Sequence, residues 1–290
     1  IIKKWFIHLH QRNYSENTLA IFVQSLKTLD AFMEGFDIKT IRGSDLRMFI
    51  SYLARKGYSA NTIIRTCHFL RNLFAFCCDN KILAQNPADH LILPQLSQRI
   101  AAVLTENYLR IFLSYLNSRT IKDEYVKLRD KAVVELMLFC GLRRNEVRCL
   151  KVSHINLPEQ TLKVVQGKFR KDRLIPLNNQ IQRTLGKYLE LRKPAQSRFL
   201  ILTNTKSNQL DYMYYSYLIR RLSRMAGLKT KVTPKILRNT FATMLFEKGV
   251  SLRSIQELMG HTRIGTTAQY ISASVNYLRE EMNKHPLFHS

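Results

Sequence analysis

The chain has 290 residues, 46% of them hydrophobic, enough for two domains with cores of their own. Its 46 Lys and Arg against 21 Asp and Glu give a formal charge of +25, out of keeping with a metabolic enzyme and suited to a surface that lies along a phosphate backbone. RNA or an anionic membrane would also suit that charge, so it names a class of partner only. Residues 1–100 carry 13 basic and 7 acidic groups, and residues 101–290 carry 33 and 14, which places the tighter polyanion site in the second part. Neither a signal peptide nor an apolar run long enough to span a bilayer is present, so a cytoplasmic protein without membrane contact is expected. Cys67, Cys77, Cys78, Cys140 and Cys149 show no CxxC spacing and no nearby His cluster. They are expected to be reduced core residues, with no zinc site and no disulfide framework.

In chain order, the first hundred residues read as helices. Residues 14–32 and 58–76 echo one another at an offset of 44, each opening Tyr-Ser-x-Asn-Thr. Ser15 and Ser59 are expected N-caps, followed by apolar residues at spacings of three and four. One reading is simply two similar helix starts in a bundle. The other adds phosphate contacts from Ser15, Asn17, Thr18, Ser59, Asn61 and Thr62 at the two helix N-termini.

Pro87 and Pro94 then break the helical pattern, and Thr105 caps the next helix, so domains of 1–97 and 98–290 are expected. The second domain reads as mostly helical with one exception. Two short β-branched runs in residues 161–177 flank a basic turn holding Gly167, Lys168, Arg170, Lys171 and Arg173, which predicts a hairpin. The fold class expected is therefore mainly α, with a helical N-terminal domain and a mostly helical C-terminal domain carrying a small antiparallel sheet.

Three segments concentrate polar residues in apolar surroundings. "GLRRNEV" places Glu146 three positions after Arg143, where it could orient that guanidinium, with Arg144 alongside. "TPKILRNT" opens on a Pro-led helix with Lys235 and Arg238 on one face. "LMGHTRIGTTAQY" supplies His261 and, nine residues later, Tyr270. Each segment alone also reads as solvated helix faces, a helix-start histidine and a packing tyrosine.

In combination and in this order the three segments and the hairpin resemble the tyrosine recombinase (phage integrase) family. "GLRRNEV" is similar to its first arginine box, "GKFRKDR" to its hairpin with a catalytic lysine, and "KILRNT" with "LMGHTRIGTTAQY" to its second box and nucleophile. The likeness is strong over residues 105–277 and extends to the N-terminal domain, similar to the family's core-binding (SAM-like) domain. It implies that Arg143 and Arg238 clamp the scissile phosphate, that Lys168, Lys235 and His261 assist, that Glu146 supports them, and that Tyr270 attacks. Arg144, Arg170, Lys171 and Arg173 would join the DNA contacts.

Position 235 is Lys where His is commonest in the family, which moves the base role towards His261; Asn239 stands where many relatives have His. Residues 274–288 are amphipathic, and the resemblance implies docking on a neighbouring protomer; a helix folded back on its own domain is the alternative. The expectation is a site-specific recombinase. It would act on double-stranded DNA through a 3′-phosphotyrosyl link, as a homotetramer on two paired sites, without cofactor or metal and with an accessory or partner recombinase possible. It would serve integration and excision of a mobile element or resolution of dimers and cointegrates. The absence of an arm-binding segment before Trp5 points to an Xer-like or transposon resolvase-like system. A catalytically silent DNA-binding architectural protein and a type IB topoisomerase are the competing readings.

Overall fold

The computed structural model describes residues 1–95, 101–165, 172–192, 196–206 and 208–260. The chain divides into two compact units, Ile1–Gln98 and Arg99–Ser290.

The first unit holds α1 (Ile2–Gln11), α2 (Glu16–Met33), α3 (Gly43–Arg55) and α4 (Ala60–Asp79). Its repeated motif becomes the starts of α2 and α4. Ser15 Oγ accepts the Thr18 amide and Ser59 Oγ accepts the Thr62 amide, each at 3.3 Å. Each cap hydroxyl also meets a threonine hydroxyl, Thr18 at 2.8 Å and Thr62 at 2.9 Å. A capping hydroxyl satisfies one of the helix's free N–H groups, so Ser59→Ala should lower the unit's unfolding free energy by about 1 kcal/mol, read from urea denaturation.

Trp5, the only tryptophan, is fully buried and stacks on Phe22 of α2 with ring centroids 5.5 Å apart. Its Nε1 donates to Asn72 of α4 at 3.0 Å, and Asn72 donates onward to the Tyr14 hydroxyl at 3.2 Å. One polar relay thus ties α1, the first motif and α4 beneath an aromatic core. The proline-broken stretch that follows is strapped to α4 by Arg71, which donates to the carbonyls of Ala88, Asp89 and Leu91.

The second unit opens with α5 (Glu106–Ser118), capped by Thr105, and α6 (Glu124–Leu138), capped by Asp123. Most of α6 is buried, and it packs on helices introduced below. A helix buried on most of its surface must find partners for the charges it carries inward. Its charged residues are accordingly paired: Asp130 meets Arg129 at 2.8 Å and Arg119 at 3.5 Å. Arg129 also donates to the Tyr214 hydroxyl at 3.1 Å.

Next come α7 (Arg144–Cys149) and a three-stranded antiparallel sheet in the order β1 (Ile155–Asn156), β2 (Thr161–Val164), β3 (Arg173–Pro176). The β2–β3 pairing sets Val164 opposite Arg173 and Thr161 opposite Pro176. That is the expected hairpin, with a two-residue strand added at its edge. Then follow α8 (Asn179–Arg192), α9 (Tyr212–Met225), α10 (Pro234–Glu247) and α11 (Leu252–Met259). Helix α6 lies against α8, α9 and α10.

The cysteine expectation needs correction. Cys67, Cys77 and Cys140 are buried and free, and burial pushes the Cys140 thiol up to about 12. Cys78, however, is only partly buried, and Cys149 is exposed at the end of the six-residue α7, too short to turn all its apolar positions inward.

Candidate active site

The C-terminus of α6 turns through Gly141, whose φ of +60° lies in the left-handed region. The chain then extends through Arg143, which caps α7 instead of lying within it. Its amide donates to Glu146 Oε2 at 2.8 Å and its Nη1 to Oε1 at 2.8 Å. The contact expected from the three-residue spacing is therefore made by a capping box, with the carboxylate bonding backbone and side chain of one residue.

Two more guanidiniums converge on the same carboxylate. Arg173, from β3, forks onto it with Nη1 to Oε1 at 3.2 Å and Nη2 to Oε2 at 2.9 Å. Arg238, from the second turn of α10, places Nη1 3.5 Å from Oε2. Burial opposes a charge on Glu146. The hydrogen bonds and charge of Arg173, then the Arg143 amide and the charge of Arg238, overcome it and hold the carboxyl at about 2.

The far side of the arginines meets the end of α11. Leu258 O accepts from Arg173 Nε at 2.8 Å, Met259 O accepts from Arg238 Nη2, and Gly260 O accepts from Arg143 Nη2 at 3.2 Å. The last carbonyls of a helix lack partners within it and carry partial negative charge. Three consecutive carbonyls here receive one guanidinium each. Arg238 also donates to the Gly141 carbonyl, closing the cluster against the turn.

In front of the cluster lies a cleft of about 330 Å³ bordered by Arg143, Arg144, Thr233, Lys235 and Arg238. Lys235 is exposed there, in the first turn of α10, which Thr233 caps. The Arg144 guanidinium lies 3.6 Å from the Tyr212 ring centroid and donates to Ser216 Oγ at 2.6 Å, so α9 fixes it at the rim. Behind the cleft, Asn239 donates to the Ala102 carbonyl at 3.1 Å and Thr240 Oγ1 accepts the Leu104 amide at 2.9 Å.

Of the expected site residues, the structure brings together Arg143, Glu146, Lys235 and Arg238, with Arg144 at the rim. Arg173 is drawn behind them, its side chain only 8% exposed, rather than projecting from the hairpin turn. Lys168, Arg170, Lys171, His261 and Tyr270 lie outside the described residues, as does the 274–288 tail. In the first unit Ser15, Thr18, Ser59, Asn61 and Thr62 sit at the two helix starts, and Arg65 donates to the Asn61 carbonyl and to Thr62 Oγ1. The Asn17 side chain falls outside the described set. Sequence reasoning missed the inward role of Arg173, and the parity of β3 carries the signal: Arg173 shares a face with buried Ile175 while Leu174 points out. It also missed Tyr212, Ser216 and Thr240, whose partners lie far away in sequence.

Residues 102–276 match the phage integrase family, and residues 2–81 match the N-terminal SAM-like domain of phage integrases. The chain belongs to the phage integrase family. It is similar to the tyrosine recombinase XerD of Yersinia pestis, 30% identical over 282 residues that cover 95% of this chain and 93% of the relative. The tyrosine recombinase XerC of Staphylococcus carnosus is 29% identical, with 95% and 93% covered. The fold is shared with the Tn1549 transposon integrase in complex with transposon right end DNA, at a TM-score of 0.78 and 20% identity over 97% of both chains. Within its family the protein is a site-specific tyrosine recombinase, an enzyme that breaks and rejoins DNA strands. No helix among the described residues is long and apolar enough to cross a membrane.

Proposed function

We propose that Tyr270 is the nucleophile and that it attacks a DNA phosphodiester held by Arg143 and Arg238. The observation that carries this reading is the convergence of those two guanidiniums, aligned by one carboxylate, on a cleft that Lys235 also borders. Attack by the Tyr270 oxygen forms a phosphorus–oxygen bond and breaks the bond to the 5′ oxygen. The result is a 3′-phosphotyrosyl link and a free 5′-hydroxyl. Negative charge grows on the non-bridging oxygens during this step, and planar forked cations meet it better than ammonium groups do.

A phenol attacks well only as it loses its proton, and His261 is the base assigned to that. Lys168 returns a proton to the departing 5′ oxygen, and Lys235 donates to a phosphate oxygen. Rejoining is the reverse attack by a 5′-hydroxyl from the partner strand. The bond energy stays in the phosphotyrosine, so the reaction requires neither a nucleotide cofactor nor a metal.

Four protomers on two paired double-stranded sites would exchange the strands, coupled by the 274–288 tail docking in trans. The N-terminal unit, with its paired helix starts, grips the same DNA from its own surface. The setting is integration or excision of a mobile element, or resolution of dimers or cointegrates, in the cytoplasm; the Xer relatives and the likeness to a transposon integrase support that reading.

The test uses nicked duplexes drawn from DNA flanking this gene, incubated in EDTA with wild type or Tyr270→Phe and run on denaturing SDS gels. The wild type should give a covalent protein–DNA band that Tyr270→Phe lacks, while both retain DNA on native gels. Retention without any covalent species would indicate the silent architectural protein, and plasmid relaxation without pairing of sites would indicate a topoisomerase. A covalent band from Tyr270→Phe would remove Tyr270 from the reaction.

A further inference from the structure

Arg173 was expected among the cations that contact DNA from the hairpin, yet its surroundings leave it no such task. All three guanidinium nitrogens are engaged by protein acceptors: Nε by Leu258 O at 2.8 Å, Nη1 and Nη2 by the two oxygens of Glu146 at 3.2 and 2.9 Å. The side chain is nearly buried and does not border the cleft. Each acceptor belongs to a different element, Glu146 to α7 and Leu258 to α11, while Arg173 opens β3.

We propose that Arg173 is a positioning residue for strand cleavage, a three-way tie holding the hairpin, the first arginine box and the end of α11 in one register. This rests on the reading that Arg143 and Arg238 bind the scissile phosphate and that Tyr270 attacks it. The reason lies in how the cluster is built. Glu146 alone cannot orient Arg143 and Arg238, because each also takes its second anchor from a carbonyl of the last α11 turn, Gly260 for one and Met259 for the other.

The position of that turn therefore decides where both guanidiniums aim. Arg173 is the member of the trio that touches both Glu146 and α11 while contributing nothing to the cleft. It fixes the distance between the carboxylate and the helix end, and the other two span the gap it sets. The same helix end leads in sequence directly to His261 and on to Tyr270, so the tie also sets where the nucleophile's segment departs. A lysine carries the charge but not the fork, and cannot reach two carboxylate oxygens and a carbonyl in one plane.

The experiment compares the full chain with Arg173→Lys and Arg173→Gln in two ways. First, hydrogen exchange of the free protein should show the amides in the last turn of α11 exchanging about tenfold faster in both variants, with α6 and α8 unchanged. Second, on a nicked duplex that the wild type cuts, covalent-complex formation at saturating DNA should slow by about tenfold or more in both variants, with DNA affinity and its salt dependence preserved.

Unchanged exchange in α11 with wild-type cleavage overturns the proposal. So does weakened binding with a shallower salt dependence and full rate at saturation, which would make Arg173 a backbone contact. Loss of protection spreading through α6 overturns it too, since the residue would then only support the fold. Tyr270→Phe is run alongside. Should that variant keep its covalent band, the assignment of the nucleophile fails, while the exchange result, which needs no DNA, still decides the role of Arg173.

Discussion

Replacing Glu146 with glutamine should abolish detectable strand cleavage and destabilise the C-terminal unit by about 3 kcal/mol at neutral pH. The carboxylate faces Arg143, Arg173 and Arg238, and no other acidic side chain bridges to these three among the described residues. Removing it takes from three crowded cations the carboxylate they share. Glutamine keeps the shape and one acceptor oxygen, but its amide nitrogen presents hydrogens to a guanidinium.

The effect has a pH signature. The folded carboxyl is held at about 2, below the ordinary glutamate value of 4.5, so its contribution is fully present above about pH 5 and fades as pH falls towards 2. Urea midpoints for wild type and Glu146→Gln should therefore differ most at neutral pH and draw together in acid. A constant gap across that range would show that Glu146 contributes through packing rather than charge.

Gly141→Ala should strongly destabilise the C-terminal unit. An added Cβ would lie 2.5 Å from Phe241 Cδ1 and 3.1 Å from Met259 Sδ, and the backbone φ of +60° is itself unfavourable for alanine. Strain and overpacking together amount to about 3 kcal/mol, and the damage lands on function because the Gly141 carbonyl accepts from Arg238. Thermal unfolding should show a clear fall. Phe241→Leu in the same chain should recover part of it by opening the space, but not the share due to φ. If the double variant is no more stable than Gly141→Ala alone, the clash with Phe241 is not the cause.

What could be read from the sequence was local. Ser15, Ser59, Thr105 and Pro234 announce their helices because a cap is a contact between near neighbours, and the β-branched runs around residues 161–177 announce a hairpin for the same reason. The Arg143–Glu146 contact was visible as a three-residue spacing, although its form, a capping box before the helix, was not. Strand β1 escaped because two residues carry no periodicity. The rest of the site was out of reach on other grounds. Arg173 lies 27 positions from Glu146 and 85 from Leu258, so nothing in its own neighbourhood beyond strand parity told it from the basic residues of the adjoining turn. Asn239 and Thr240 likewise reach back more than 130 positions to the Ala102 carbonyl and the Leu104 amide.

The arginine cluster contains three guanidiniums and one carboxylate, and Lys235 adds another cation at its edge. Among the described residues Glu146 is the one acidic side chain that pairs with these guanidiniums, so positive charge gathers at the centre of the C-terminal unit. A phosphodiester entering the cleft adds negative charge beside them, and the more negative transition state adds more. The substrate is then a counter-ion for the cluster as well as the thing acted upon.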